Sequence, residues 1–239
     1  MTDKKNAPIG VFDSGVGGLT VAREIMRNLP GERIVYFGDT ARVPYGSKSK
    51  ETVLRYSRQI VRFLQTQEVK TIVVACNTAS ALALETIRQE TDIPMIGVVK
   101  PGAKVAAETT RNNKIGLIGT NATVKSDLYR TTIQEINPRI QVIGQACPLF
   151  VPLVEEGWWK DPVTVEVAKR YLDPLLEKGI DTLILGCTHY PLLRSLLREV
   201  AGEQVTLVNP AYETARALAR LLKERDLEAE GEKEEEFPY

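Results

Sequence analysis

Apolar residues gather into eight short runs along the chain, at Ile9–Phe12, Ile34–Phe37, Thr71–Ala75, Met95–Val99, Lys114–Ile118, Ile140–Ile143, Thr182–Leu185 and Val205–Val208. Rich in Ile, Leu and Val rather than alternating apolar with polar, they read as strands buried on both faces. The stretches between them follow a different period. Ala22, Ile25, Met26 and Leu29 fall at i, i+3, i+4 and i+7, and Val53, Ile60, Val61 and Leu64 make a second such face, the pattern of amphipathic helices. Strands alternating with helices predict an α/β fold of mainly parallel, doubly wound sheets built from βαβ units.

The order of these elements repeats. Ile9-Gly10 returns as Ile115-Gly116 and Arg33-Ile34 as Arg139-Ile140, both 106 positions on, while "VVACNTASAL" is answered by "LILGCTHYPL" with Cys76 and Cys187 offset by 111. Two pseudo-symmetric domains with a cleft between them fit this better than one continuous sheet. The expected division is residues 1–97 plus 209–239 for the first domain and 98–208 for the second, with a last helix over 212–225 returning to the first. The acidic tail "EAEGEKEEEFPY" reads as disordered from about residue 227.

Composition narrows the function classes. A chain of 239 residues with 43% hydrophobic content builds ordinary cores, and 31 basic residues balance 31 acidic ones. No excess of positive charge argues for nucleic acid or an anionic membrane, so a small-molecule partner is expected. Three cysteines are too few and too odd in number for a disulfide framework and suggest a reducing compartment. The N-terminal segment lacks the apolar core of a signal peptide, no run approaches a membrane span, and the expected location is the cytoplasm. In that compartment the sequon at Asn121 carries no meaning.

The candidate chemistry lies in two turns. "ACNTASALALETI" and "GCTHYPLLRSLL" each place a cysteine, Cys76 or Cys187, at the end of a buried strand, followed by threonine and a helical pattern. Ligands of open α/β sheets bind at the carboxyl ends of strands. Thr78 is expected to cap one helix and Pro191 to open the other, and a thiol at the positive end of a helix dipole is expected to ionise more readily. A lone strand-end cysteine reads as a small buried hydrophobe; two in matching contexts point to thiols on opposite sides of one bound molecule. Zinc would want four ligands and finds one histidine, His189, in the whole chain. A thiol hydrolase would use Cys187 with His189 and leave Cys76 unexplained, and a redox pair would favour Cys-x-x-Cys spacing, which is absent. Cys147, in "GQACPLF", reads as structural.

Three further stretches accompany them. "PIGVFDSGVGGLTVARE" sets Asp13, Ser14 and three glycines between strand and helix, a turn able to cradle an anion on backbone N–H groups, though its spacing matches no nucleotide motif. Asp13 reads either as a turn residue or as a proton relay beside a thiol. "ARVPYGSKS", with Pro44, Tyr45 and Gly46, reads equally as a binding loop and as a surface turn. "FVPLVEEGWWKDP" is its counterpart; Trp158 and Trp159 read as core or interface aromatics, and Glu155 as a residue able to face the cleft and orient His189.

With "VFDSGVGGLTV", "PYG", "ACNTASA" and "GCTHYPLL" in this order, the chain from about Pro8 to Leu222 resembles the cofactor-independent aspartate/glutamate racemase family. The resemblance implies interconversion of L- and D-glutamate with neither pyridoxal phosphate nor metal, supplying D-glutamate for peptidoglycan. It implies Cys76 and Cys187 as the two proton-transfer bases, Asp13 assisting Cys76 on the D-enantiomer, and His189 and Glu155 assisting Cys187 on the L-enantiomer. Substrate is implied to be held through Asp13-Ser14, Pro44-Tyr45-Gly46, Asn77-Thr78 and Thr188-His189. A homodimer is a common assembly of such enzymes, yet no surface stripe identifies an interface. Asn209-Pro210 stands where relatives commonly read Asp-Ser. Racemisation of aspartate or another amino acid, a two-lobed cysteine hydrolase and a binding protein stand as alternatives.

Overall fold

The computed structural model describes residues 4–230. Its first half runs β1 (Ile9–Asp13), α1 (Leu19–Asn28), β2 (Ile34–Gly38), α2 (Lys50–Thr66), β3 (Thr71–Val74), α3 (Asn77–Leu82), α4 (Leu84–Arg88) and β4 (Met95–Gly97), after which α5 (Val99–Thr109) crosses to the second sheet. The second runs β5 (Lys114–Gly119), α6 (Asn121–Lys125), α7 (Leu128–Ile136), β6 (Gln141–Ala146), α8 (Phe150–Glu155), α9 (Pro162–Leu176), β7 (Thr182–Gly186), a 3₁₀ turn at Tyr190–Leu193, α10 (Arg194–Ala201) and β8 (Thr206–Val208). The last helix is α11 (Pro210–Glu224).

Two four-stranded sheets result, in the orders β2-β1-β3-β4 and β6-β5-β7-β8, with every pairing parallel. The second order is the first with each strand advanced by four. Both sheets are covered on both faces, which is why their central strands are apolar without alternation. In the first, Phe12, Ile72 and Val74 pack with α2, α3 and α4, while Ile9, Val11 and Val73 pack with α1 and α11. In the second, Leu183 and Leu185 face α8, α9 and α10, while Ile115, Leu117 and Ile184 face α5 and α7. Helix α11 therefore returns to the first sheet, and at the junction it meets α5, where Gly102 lies so close to Pro210 that a Cβ would stand 2.9 Å from the ring. Asn209 caps α11 by accepting from Ala211 N–H at 3.0 Å, with Pro210 in the first turn, so this pair starts a helix.

All eight apolar runs are strands, with two shifts that have local causes. The fourth ends at Gly97 because the Val98 N–H turns to Ser80 Oγ, 3.3 Å away, and the chain enters α5. The sixth continues to Ala146 through Gly144 and Gln145; it is an edge strand, whose polar positions an apolar run cannot register. Val53, Ile60, Val61 and Leu64 are buried as expected, whereas Met26 is 40% exposed and lies outside the buried face of α1. Trp158 and Trp159, expected in a core or interface, are 47% and 44% exposed.

Of the tail expected to be disordered from about residue 227, residues 227–230 make contacts with the first half. Leu227 packs against the α1/α11 cluster, Ala229 N–H donates to Glu32 Oε1 at 3.0 Å, and Glu230 pairs with Lys5 at 2.6 Å. The rest of that tail, 231–239, lies outside the described residues.

Candidate active site

Strands β1, β3 and β7 deliver the site from their carboxyl ends. After β3 the chain turns at Cys76, whose φ and ψ are extended and whose Sγ accepts from Ala79 N–H at 3.4 Å, so the cysteine itself caps α3. Thr78, expected to be that cap, instead reaches the other half: its Oγ1 lies 2.9 Å from Thr120 Oγ1 and 3.2 Å from Thr123 Oγ1. After β7 the chain turns at Cys187 and enters the 3₁₀ turn, with Pro191 at its start as expected. Cys187 Sγ lies 3.8 Å from His189 Nδ1, and His189 Nε2 lies 2.9 Å from Glu155 Oε1. A sulfur, an imidazole and a carboxylate thus stand in file.

Both thiols line one cavity of about 360 Å³ between the halves, within the size range of small-molecule sites. Ser14, Pro44, Tyr45, Gly46, Asn77, Thr78, Glu155, Thr188 and His189 line it too, so of the residues expected to act or bind only Asp13 is missing from its wall. Asp13 is fully buried behind the glycine turn. Its Oδ2 accepts from Gly15 N–H at 3.1 Å and Gly18 N–H at 3.0 Å, and its Oδ1 from Thr188 Oγ1 at 3.4 Å. The glycine-rich turn thus donates its backbone N–H groups to the protein's own Asp13 carboxylate, which lies behind the cavity wall. The glycines answer to close packing as well. A Cβ on Gly17 would lie 2.5 Å from the His189 ring and 2.6 Å from Thr188 Oγ1.

Tyr45 is buried and donates its hydroxyl to Asp39 Oδ2; Asp39, also buried, accepts from Arg42 Nε at 2.8 Å. The loop read equally as binding loop and surface turn is thus anchored from beneath, with Gly46 against Thr120 of the other half. Asp39, Thr120, Asn121, Thr123 and Tyr129 were not among the site residues expected from the sequence, though Thr120 and Asn121 line the cavity and Tyr129 donates to Asn77 Oδ1 at 2.7 Å. Thr120 follows β5 as Ser14 follows β1, so only the repeat, carried strand by strand, would have pointed to it. Cys147 lies in the core of the second half, its Sγ donating to Gln145 O at 3.5 Å, although its position also borders the cavity.

Electrostatics overturn one expectation. Burial, followed by the nearby Asp13 carboxylate, pushes the Cys76 thiol up to about 11, against smaller lowering contributions from Ala79 N–H and Ser14. Burial likewise raises Cys187, against a lowering contribution from the His189 backbone N–H. Desolvation outweighs the helix terminus that was expected to lower both. Burial also raises Asp13, offset in part by the Gly15 N–H and the neighbouring His189.

Two parallel α/β halves of one plan, each presenting a strand-end thiol to a shared cavity, define a two-lobed α/β protein with a small-molecule-sized site between its lobes. The Asp/Glu/Hydantoin racemase family model matches residues 9–218, and the chain belongs to that family. It is 55% identical to a glutamate racemase of Geobacter metallireducens over 219 residues, 92% of this chain and 81% of that protein. Among solved structures, glutamate racemase isoform RacE1 of Bacillus anthracis superposes with a TM-score of 0.92 at 44% identity, covering 95% of this chain and 85% of that one. The Francisella tularensis glutamate racemase, solved in complex with D-glutamate, gives 0.89 at 41% identity with the same coverage.

Proposed function

We propose that this protein is a glutamate racemase, interconverting L- and D-glutamate by proton transfer at the α-carbon between Cys76 and Cys187. The observation that carries the reading is the placement of both thiols on one cavity, each at the end of the equivalent strand of its half. Inverting a carbon centre needs a base on one face and an acid on the other. One thiolate takes the α-proton, the C–H electron pair stays on the α-carbon and its carboxylate, and the opposite thiol returns a proton to the other face. The sulfurs exchange roles in the reverse reaction, so no atom is gained or lost.

The neighbours divide accordingly. His189, braced by Glu155, serves Cys187, which removes the proton of the L-enantiomer; Asp13, held behind the glycine turn, serves Cys76 on the D-enantiomer. Ser14, Asn77, Thr78 and Thr188, with the Pro44-Tyr45-Gly46 loop, offer the hydroxyl, amide and backbone donors that substrate carboxylates and the charge growing on the reacting carboxylate require. Because burial keeps both thiols protonated in the free protein, the substrate's ammonium group and these donors supply the field that makes a thiolate accessible. Residues 1–97 with the segment returning from 209 form one lobe and 98–208 the other, with the cytoplasm as the location and D-glutamate for peptidoglycan as the product. A homodimer is the assembly this reading carries over from the family.

The Cys187, His189 and Glu155 file, taken alone, is also what a thiol hydrolase needs, and the test separates the two. Incubating the protein with L-glutamate in deuterium oxide, without pyridoxal phosphate, should give loss of optical rotation together with α-deuterium in the product. Cys76→Ser and Cys187→Ser should each lower that rate by about a thousandfold or more, the scale of losing a positioned proton-transfer group. Absence of exchange in the unsubstituted protein would favour the hydrolase, full racemisation surviving in Cys76→Ser would overturn the two-thiol reading, and exchange with L-aspartate exceeding that with L-glutamate would move the substrate.

A further inference from the structure

Asn77, next in the chain after Cys76, lines the cavity, and its Oδ1 accepts the Tyr129 hydroxyl at 2.7 Å. The two residues belong to different halves: Asn77 opens α3 behind β3, and Tyr129 lies on α7 behind β5. Tyr129 is 1% exposed, its ring packed with Ile133, Ile140 and Ile184 on the far side of the second sheet. A side-chain amide has an accepting end and a donating end of nearly the same shape, and only its partners decide which end faces a ligand. With Oδ1 occupied by a hydroxyl donor, the Nδ2 group is the end left for the cavity, and it has no hydrogen bond to protein among the described residues.

We infer that Tyr129 is a positioning residue for the proposed racemisation: from the opposite lobe it fixes the Asn77 amide so that its two N–H groups face the substrate carboxylate beside Cys76. The inference rests on the reading of the cavity as an amino-acid site. Burial raises the Tyr129 phenol further above its ordinary value, so it stays a donor throughout the working pH range. Reversal of the amide would set an oxygen against an anion, exchanging an attraction for a repulsion. Because donor and amide come from different lobes, the N–H pair is presented only while the lobes are docked at this point. Substrate binding is thereby coupled to lobe contact without Tyr129 touching the substrate.

Tyr129→Phe keeps the ring and removes the donor. It should raise the KM for glutamate, and the Kd for D-glutamate measured by calorimetry, by about tenfold or more, the scale of losing one hydrogen bond to a charged group. The fall in kcat should be smaller, and thermal melting should show the variant folded. The decisive readout is a double-mutant cycle with Asn77→Ala: if Tyr129 acts through the amide, its removal adds nothing further in that background. An equal loss in both backgrounds, or an unchanged KM in Tyr129→Phe, would overturn the inference. The Asn77 ¹³Cγ resonance gives a test that needs no substrate. Loss of the bond to Oδ1 should move it in Tyr129→Phe, and an unmoved resonance would overturn the inference even if wild-type protein failed to racemise glutamate, a failure that would strike the functional reading instead.

Discussion

Position and burial act in opposite directions on the thiols of Cys76 and Cys187. Each sits where backbone N–H groups converge after a strand, an arrangement that favours a thiolate, yet each is almost wholly enclosed and feels the Asp13 carboxylate behind the cavity wall. Enclosure wins in the free protein. With Cys76 at about 11, about one molecule in a thousand carries that thiolate at pH 8. Alkylation of Cys76 by iodoacetamide, followed by mass spectrometry without substrate, should therefore keep rising about tenfold per pH unit from pH 8 to about 10, the behaviour of a minor thiolate fraction. A plateau near pH 8.5 would show an ordinary thiol. The linkage has a definite sign: an unfolded thiol ionises near 8.5, so between that value and about 11 the folded chain binds more protons than the unfolded one. The raised thiol stabilises the fold fully below pH 8.5, and this contribution is lost as pH rises toward 11. The sequence displayed the thiols and the dipole that acts on them but not the desolvation, which is a property of the assembled cavity.

At the scale of elements, turns rather than helices or strands decide the site, and two substitutions separate their roles. Gly17→Ala would drive a Cβ into the His189 ring and Thr188 Oγ1. It should cost about 1–3 kcal/mol of stability, the usual scale of overpacking, and lower kcat by displacing the Cys187 turn. Asn209→Ala removes a helix cap that is not part of the cavity wall. It should cost about 1 kcal/mol and leave kcat/KM unchanged. Urea melts and steady-state kinetics on both variants check the contrast; equal kinetic effects would mean that α11 governs the site. Legibility followed the same division. The strands could be read because burial on both faces leaves unbroken apolar runs, and Cys76, Cys187 and His189 because strand-end chemistry is local. The partner of the glycine turn, Asp13, was not legible because only the folded turn shows which backbone N–H groups that carboxylate takes. Thr120 and Tyr129 were missed because no periodicity links position 78 to 120 or 77 to 129; only the docking of the halves does.

The whole molecule is two copies of one plan, docked through the packing of α5 on α11 and through the loops that line the cavity. Thr20 Oγ1 donates to Thr188 O at 2.9 Å, Thr188 to Asp13, Tyr129 to Asn77, and Thr78 meets Thr120 and Thr123, so every one of these contacts between halves involves a residue of a cysteine turn. A ligand wedged among them cannot engage one thiol without loading the turn that bears the other. D-Glutamate at a hundredfold excess over its Kd should stabilise the liganded state by about 2.7 kcal/mol. Hydrogen exchange should then slow at residues 76–80 and 187–190 together, with little change along the outer helices α2 and α9. Protection confined to the 187–190 turn would describe a one-faced site of the hydrolase kind. Protection of both turns is what two bases on opposite faces of one carbon demand, since a substrate that reaches either sulfur must lie between the two.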